Sequence, residues 1–305
     1  MSMQHSEREL GKLGDHDLAK IQAGIREAFK KRHPELKDIA FPPIVVPVEK
    51  QAVKTPETSV AELLPSSEQL IKTESETLKR FFGKDIAVPE PPQELFQTLE
   101  QMSKLGIAGF EPHFLPQVSL TEKDKIPGWK VRPESWFWKQ IKDGKIPADA
   151  ATLQEGWYLV DGRGKPNYDN GQQRYENDYL EPIMADLRKT GKIQRYSSVP
   201  DISRFGASPD EMEQVILSEV ARITGAKGET TNKRYIEFNI WGNIFHPEWG
   251  QTNTLEWFAD RFGDDYRLYG GVSDFGGLAL VHGFWSVHRH DSIAFGPVVR
   301  FPSKP

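Results

Sequence analysis

Arg267-Leu-Tyr-Gly-Gly-Val-Ser-Asp-Phe-Gly-Gly-Leu-Ala-Leu-Val281, followed by Trp285-Ser286 and by the alternation Arg289-x-Asp291-x-Ile293-x-Phe295, carries the strongest signal in this chain. Between Phe258 and Pro302 there is no Lys, Glu, Gln or Met, although the preceding chain uses all four freely. Two kinds of position interleave in that stretch. Arg267, Leu268, Gly270, Gly271, Ser273, Gly276, Gly277, Ala279, Val281, Trp285, Ser286, Arg289, Asp291, Ile293, Phe295 and Pro297 have the character of a scaffold. Tyr269, Val272, Asp274, Phe275, Leu280, His282, Gly283, Phe284, Val287, His288, His290, Ser292 and Ala294 share no size, charge or polarity, as expected of exposed positions that packing does not constrain.

The period-two pattern predicts a strand from Arg289 to Phe295, with His288, His290, Ser292 and Ala294 on the face opposite the scaffold residues. Glycine pairs at 270 and 271 and at 276 and 277 bracket Val272 to Phe275, which suits a tight turn or a close approach of two segments. The second class of positions is expected to form one continuous surface. Leu268, Trp285, Ile293 and Phe295 are expected to be buried beneath it.

This stretch resembles the C-terminal variable region of diversity-generating retroelement target proteins, most closely those of nanoarchaeal and related uncultivated microbial elements. In such systems an error-prone reverse transcriptase randomises template adenines, often in AAC codons. Changes at the first two bases of AAC never yield Lys, Glu, Gln, Met or Trp, and all the second-class positions respect that restriction. The resemblance implies a C-type lectin fold of the formylglycine-generating-enzyme-like subclass. Asn253-Thr-Leu-Glu-Trp257 is similar to that subclass's Asn-x-x-Glu-Trp signature, and Gly270-Gly271 with the terminal aromatic-Pro segment completes the likeness. The block from Ile236 to Trp249 is also similar to retroelement targets. One departure stands out: Gly296 occupies the place, between Phe295 and Pro297, where the family usually has Arg. An adenine change in an AGA or AGG codon would produce it.

Upstream, Pro209 to Thr224 is the clearest helix, with Ser208 as N-cap, Glu211 closing a capping box and Gly225 as its stop. Met212, Val215, Ile216, Val220 and Ile223 form its apolar stripe. A long helix followed by short Gly- and Trp-rich strands is the expected order for a C-type lectin fold. Trp129, Trp136, Phe137, Trp138 and Trp157 are assigned to the core, with a sugar-stacking platform as the alternative.

The first hundred residues read as helices joined by proline-rich connectors. Leu18, Ile21, Ile25, Ala28 and Phe29 fall at helical spacing, and Phe41-Pro-Pro-Ile-Val-Val-Pro47 is extended. A second stripe runs through Leu70, Ile71, Leu78, Phe81 and Phe82 to Gly83, and a third through Leu95, Phe96, Leu99, Met102 and Leu105. The expected division is a helical N-terminal region at 1–105 and an α+β, C-type-lectin-fold domain at 106–305, with the variable region at 266–296. The stripes are expected to pack on each other or on the lectin domain, the alternative being a docking site for a partner helix.

Composition narrows the function. The chain has 305 residues, 37% of them hydrophobic, and a formal charge of −5, which gives no electrostatic case for nucleic acid or an anionic membrane. With no Cys, disulfides, thiolate metal sites and a Cys nucleophile are excluded. No apolar run reaches the about 18 residues a membrane span needs, and no secretory signal is recognisable, so the location stays open.

Chemistry finds little support. The sulfatase-modifying relatives of this fold use Cys, and the iron-dependent sulfoxide synthases use a His-x-x-x-His-x-Glu site; neither pattern occurs here. His288 and His290 could place two imidazoles on one strand face, but the favoured explanation is that both are chance occupants of diversified positions. Asp260, Asp264 and Asp265 could ligate a hard cation or form a solvated acidic loop. His246 and Glu256 could form a metal or acid/base pair, although Glu256 belongs to the scaffold signature.

The expectation is therefore a binding protein without catalysis, cofactor or bound metal. Its partner would be a protein or glycan, such as one on another cell or a virus, with no nucleic-acid partner and no membrane insertion. The alternatives are a cation- or iron-dependent enzyme on the same fold and a carbohydrate lectin of fixed specificity.

Overall fold

Among residues 65–303, which the computed structural model describes, Ser66 starts the first helix. The expected helix at 18–29 and the extended run at 41–47 lie outside the described residues. The Ser66 hydroxyl accepts from the Gln69 amide at 3.2 Å while the Gln69 side chain accepts from the Ser66 amide at 3.1 Å, a reciprocal cap that sets the start of α1 (Ser67–Phe82). Gly83, at φ 72°, ends it. Its buried face is Leu70, Glu74, Leu78, Phe81 and Phe82, and α2 (Gln93–Lys104) buries Leu95, Thr98, Leu99 and Met102. Leu105 is instead the exposed C-cap of α2.

These two helices correct the expected boundary at 105/106. Their apolar faces share one core with Phe114, Leu115, Trp157 and Leu159, and the Trp157 indole donates to the Pro89 carbonyl at 3.1 Å. The chain divides instead into Met1–Glu57 and Thr58–Pro305, because amphipathic helices bury their stripes wherever a sheet face is available.

Strand β1 (Phe110–Leu115) is followed by β2 (Val118–Ser119), α3 (Ser135–Lys142), β3 (Thr152–Leu153) and β4 (Gly156–Asp161). After α4 (Glu181–Lys189) comes α5, a continuous helix built from Pro209–Glu211, a π-helical stretch Met212–Ile216 and Leu217–Thr224. Ser208 and Glu211 form its capping box, and Gly225 at φ 64° closes it, as the sequence predicts. Met212, Ile216 and Val220 are buried, with Val215 and Ile223 partly so. Then follow β5 (Glu229–Asn232) and α6 (Tyr235–Ile244), in which every residue from Tyr235 to Gly242 is buried, as befits a helix apolar on all sides.

The last five strands are β6 (Leu255–Phe262), β7 (Tyr266–Gly270), β8 (Val281–Trp285), β9 (Ile293–Phe295) and β10 (Pro297–Pro302). One antiparallel sheet has the order β1-β4-β10-β5, and a second has the order β8-β7-β6-β9, antiparallel except for the parallel pair β6–β9. β2 and β3 form a small separate ribbon. The result is an α+β protein with two principal cores. One lies around the first sheet, α1, α2 and α6; the other lies between the second sheet, α4 and α5. Among the described residues no helix is long and apolar enough to cross a membrane.

Candidate functional site

Two arginines hang the C-terminal segment on α5. Arg267 of β7 donates Nε and Nη2 to Glu213 at 2.7 Å each, and Arg289 donates Nε and Nη2 to Glu211 at 3.0 and 2.8 Å. Planar, bidentate pairing of this kind fixes orientation as well as distance. Glu211 thus caps its own helix and also anchors a loop far along the chain. This accounts physically for the scaffold character of both arginines.

On β7 and β8, Tyr269 lies directly opposite His282, and Phe284 lies opposite Arg267 on the same face. Ring contacts then run without a break: Tyr269 to His282 at 6.4 Å, Tyr269 to Phe284 at 6.1 Å, Phe284 to His288 at 4.5 Å and His288 to His290 at 6.4 Å. Trp136 extends the strip, its ring 5.0 Å from His282. Trp136 and Trp138 are only partly buried, whereas Trp129, Phe137 and Trp157 are core. Burial pushes His282 below the ordinary imidazole value, and burial followed by the charges of His290 and Arg289 does the same to His288. Both rings therefore act at neutral pH as uncharged aromatic and hydrogen-bonding surface.

Not every second-class position joins that strip. Asp274, Val287 and His288 are exposed; Tyr269, Phe275, His282, Gly283, Phe284, His290 and Ser292 are half-buried. Asp274 and Phe275 sit on a separate turn, Ser273–Phe275, ended by Gly276 at φ 118°. Val272, Leu280 and Ala294 are buried, which corrects their assignment to an exposed surface. Ala294 fails because β9 pairs in parallel with β6 and has protein on both faces, where Ala294 meets Tyr175, Val199 and Phe205. Gly283 is constrained as well: a Cβ there would come within 2.4 Å of the Phe262 ring, which would have to shift.

Two further corrections concern the scaffold. Trp285, expected in the core, is 48% exposed; it lies on the other face of β8 from Phe284 and stacks on Tyr266 at 4.4 Å. The strand expected from Arg289 to Phe295 begins only at Ile293. The preceding segment spends its carbonyls on loop contacts, Ser286 accepting from the Asp210 amide at 3.1 Å and His290 from the Gly206 amide at 3.0 Å. Leu268, Ile293 and Phe295 are buried as expected.

The other candidate clusters resolve differently. Asp260 is buried and accepts from the Tyr235 amide at 2.6 Å and from Arg234 at 3.3 Å, so it caps α6 and is not part of an acidic loop with exposed Asp264 and Asp265. Glu256 and His246 are not partners: buried Glu256 pairs with Lys233 at 2.8 Å. Gly296 backs that pair, and a Cβ there would stand 2.3 Å from the Glu256 carboxylate. A side chain at 296 would therefore have to displace the ends of Glu256 and Lys233.

Lys165, another buried cation nearby, donates to the carbonyls of Gly271 at 2.8 Å and Thr254 at 3.1 Å, tying the first glycine pair to the core. Burial lowers it to about 7. The unfolded chain keeps this proton up to the ordinary lysine value, so between the two values it binds more protons than the folded chain. Stability is expected to rise across that window, by up to about 1.4 kcal/mol per pH unit from this group. Urea unfolding of Lys165→Met should show that alkaline rise reduced; an unchanged rise would refute the assignment.

No protein-family model matches this chain, and neither a curated protein nor a solved structure matches it.

Proposed function

We propose that this chain is a binding protein whose second sheet presents a diversified surface on a C-type-lectin-like scaffold, with ligand recognition and no catalysis. The observation that carries the reading is the uninterrupted strip Tyr269, His282, Phe284, His288 and His290, with the intervening residues Arg267, Leu268 and Val281 buried and Arg289 tied to α5. Aromatic and imidazole side chains give large contact area at low conformational cost, as antibody paratopes do. The lectin-like scaffold is supported by the order of elements, a long helix before short strands, and by the C-terminal strand β10 pairing with the early strand β4. Exposed Val287, beside Trp285, adds apolar area at the edge. The partner is a protein or glycan, and its identity follows from whichever residues occupy the strip.

The reading requires that strip positions accept substitution. A variant carrying Val287→Asn, His288→Asn and His290→Asn should unfold within a few degrees of the parent, because Val287 and His288 are exposed and His290 half-buried, and surface changes typically cost about 0.5 kcal/mol or less each. Val272→Asn, which buries an amide, should cost about 1–3 kcal/mol. Thermal unfolding of both variants tests this. A triple variant less stable than Val272→Asn would mark the strip as ordinary structure. In the encoding DNA, a near-repeat of the region for residues 266–296, differing only at template adenines and accompanied by a reverse transcriptase gene, is the expected source of the diversity.

A further inference from the structure

Away from the strip, three side chains from two distant parts of the chain converge. Glu111 and His113 alternate on β1 and so project from the same face, and His246 follows α6. The Glu111 Oε2 atom lies 3.3 Å from His113 Nε2 and 3.4 Å from His246 Nε2, and one donor atom of each residue falls within 4.8 Å of the others. We propose that Glu111, His113 and His246 form a binding site for a divalent transition-metal ion of the zinc class, with Glu74 and Glu248 orienting the two imidazoles.

A carboxylate behind each imidazole distinguishes this group from a chance cluster. His113 Nδ1 is 3.0 Å from the buried carboxylate of Glu74, whose other oxygen accepts from the Phe114 amide at 3.1 Å. His246 Nδ1 is 3.0 Å from Glu248. In the tautomer with its proton on Nδ1, facing that carboxylate, each imidazole offers Nε2 to an ion, which is how metal-bound imidazoles are held. Both Nε2 atoms then face one carboxylate oxygen, an arrangement that either a proton on a ring or a bound cation satisfies. His246 Nε2 is buried and makes no well-formed hydrogen bond, its contact with Glu111 Oε2 being 3.4 Å.

Packing holds the rings in place. His113 stacks on Phe245 with centroids 3.8 Å apart, and His246 stacks on Trp249 at 4.3 Å. Gly162 closes the back of the group, where a Cβ would stand 2.4 Å from Glu111 Oε1 and 3.1 Å from His246 Cε1. The Glu111 side chain is 45% exposed, so the site opens to solvent on that side.

Two imidazoles and one carboxylate suit Zn²⁺, Co²⁺ or Ni²⁺; Ca²⁺ and Mg²⁺ prefer oxygen-only sets. Metal–ligand bonds of about 2.0–2.1 Å at tetrahedral angles put neighbouring ligand atoms about 3.3 Å apart, the spacing found between Glu111 and each histidine. Three protein ligands with an open side leave the fourth position to water. The ion would staple β1 to the turn after α6.

The test uses the full chain, stripped with chelator and titrated with Co²⁺, with Zn²⁺ as competitor. One Co²⁺ per chain should bind with the intense visible absorption of a tetrahedral site, and Zn²⁺ should abolish that absorption and raise the melting temperature. Glu111→Gln and His246→Gln, each verified as folded by cooperative unfolding, should lose the spectrum. Glu248→Gln should keep the spectrum with affinity weakened by about 10–100-fold. His288→Gln with His290→Gln should change nothing. Folded parent protein that binds no Co²⁺, or binding that survives Glu111→Gln and His246→Gln, or binding lost only with His288 and His290, would each overturn the assignment.

Discussion

Replacing Arg204 by Met should destabilise the fold by about 3–5 kcal/mol at neutral pH, because it leaves buried carboxylates without their cation. Arg204 is 1% exposed and donates Nε to Asp178 at 2.8 Å, Nη1 and Nη2 to Asp161 at 3.2 Å each, and Nη1 to the Phe295 carbonyl at 3.2 Å. A second Nη2 bond to Asp178 completes the fork, and the guanidinium lies 4.0 Å over the Tyr175 ring. Asp161 retains Arg163 at 2.6 Å after the change, so Asp178 bears most of the loss. Burial alone pushes Asp178 up; the charge and hydrogen bonds of Arg204 override it and hold the carboxyl below its ordinary value. A depressed carboxyl contributes stability above its unfolded value and loses it as pH falls through the folded one. The variant reverses the sign, since its unpaired Asp178 takes up a proton more readily than in the unfolded chain. Its deficit should therefore shrink on acidification toward about pH 4–5, where an ordinary carboxyl also protonates. Urea unfolding across that range measures this, and a neutral-pH loss under about 1 kcal/mol would contradict the role given to Arg204.

Phe295→Ala should cost a similar amount, about 3–5 kcal/mol, through the cavity it leaves. Phe295 is fully buried and shares a core with Trp257, Ile293, Met184 and Ile216, where the second sheet meets α4 and α5. Trp285→Ala, ten positions earlier in the same segment, should cost about 1 kcal/mol or less, because nearly half of that side chain already meets solvent and its main partner is Tyr266. Paired melting curves of the two variants separate a core aromatic from a surface one. Equal losses would mean that Trp285 packs more deeply than its exposure indicates.

The scaffold arginines show how a local signal and a distant one meet in one residue. Ser208 and Glu211 announce the start of α5 because a capping box lies within four consecutive positions. That Glu211 also receives Arg289 depends on a segment folding back across α5, which nothing within four positions encodes. The same limit explains the misread strand. Alternation from Arg289 to Phe295 is genuine as far as Ile293 and Phe295 go, but Arg289 and Asp291 alternate in a loop whose partners are Glu211, Tyr168 and Gln173.

Sequence alone determined α5 with both its caps, from Ser208 to Gly225, and the apolar stripe of α1 with its stop at Gly83. It also set apart the stretch from Phe258 to Pro302, which has no Lys, Glu, Gln or Met. These signals are short-range, since a cap, an apolar stripe or a glycine turn is settled by residues a few positions apart. Tertiary structure alone decided which free positions are exposed: Ala294 is enclosed because β9 joins β6 in parallel, and Gly283 is constrained by Phe262 across the sheet. It also decided that Glu111 and His113, an unremarked pair on β1, meet His246 from beyond α6. Burial and convergence depend on which distant segments come to lie against a residue, and long-range strand pairing and helix packing supply that.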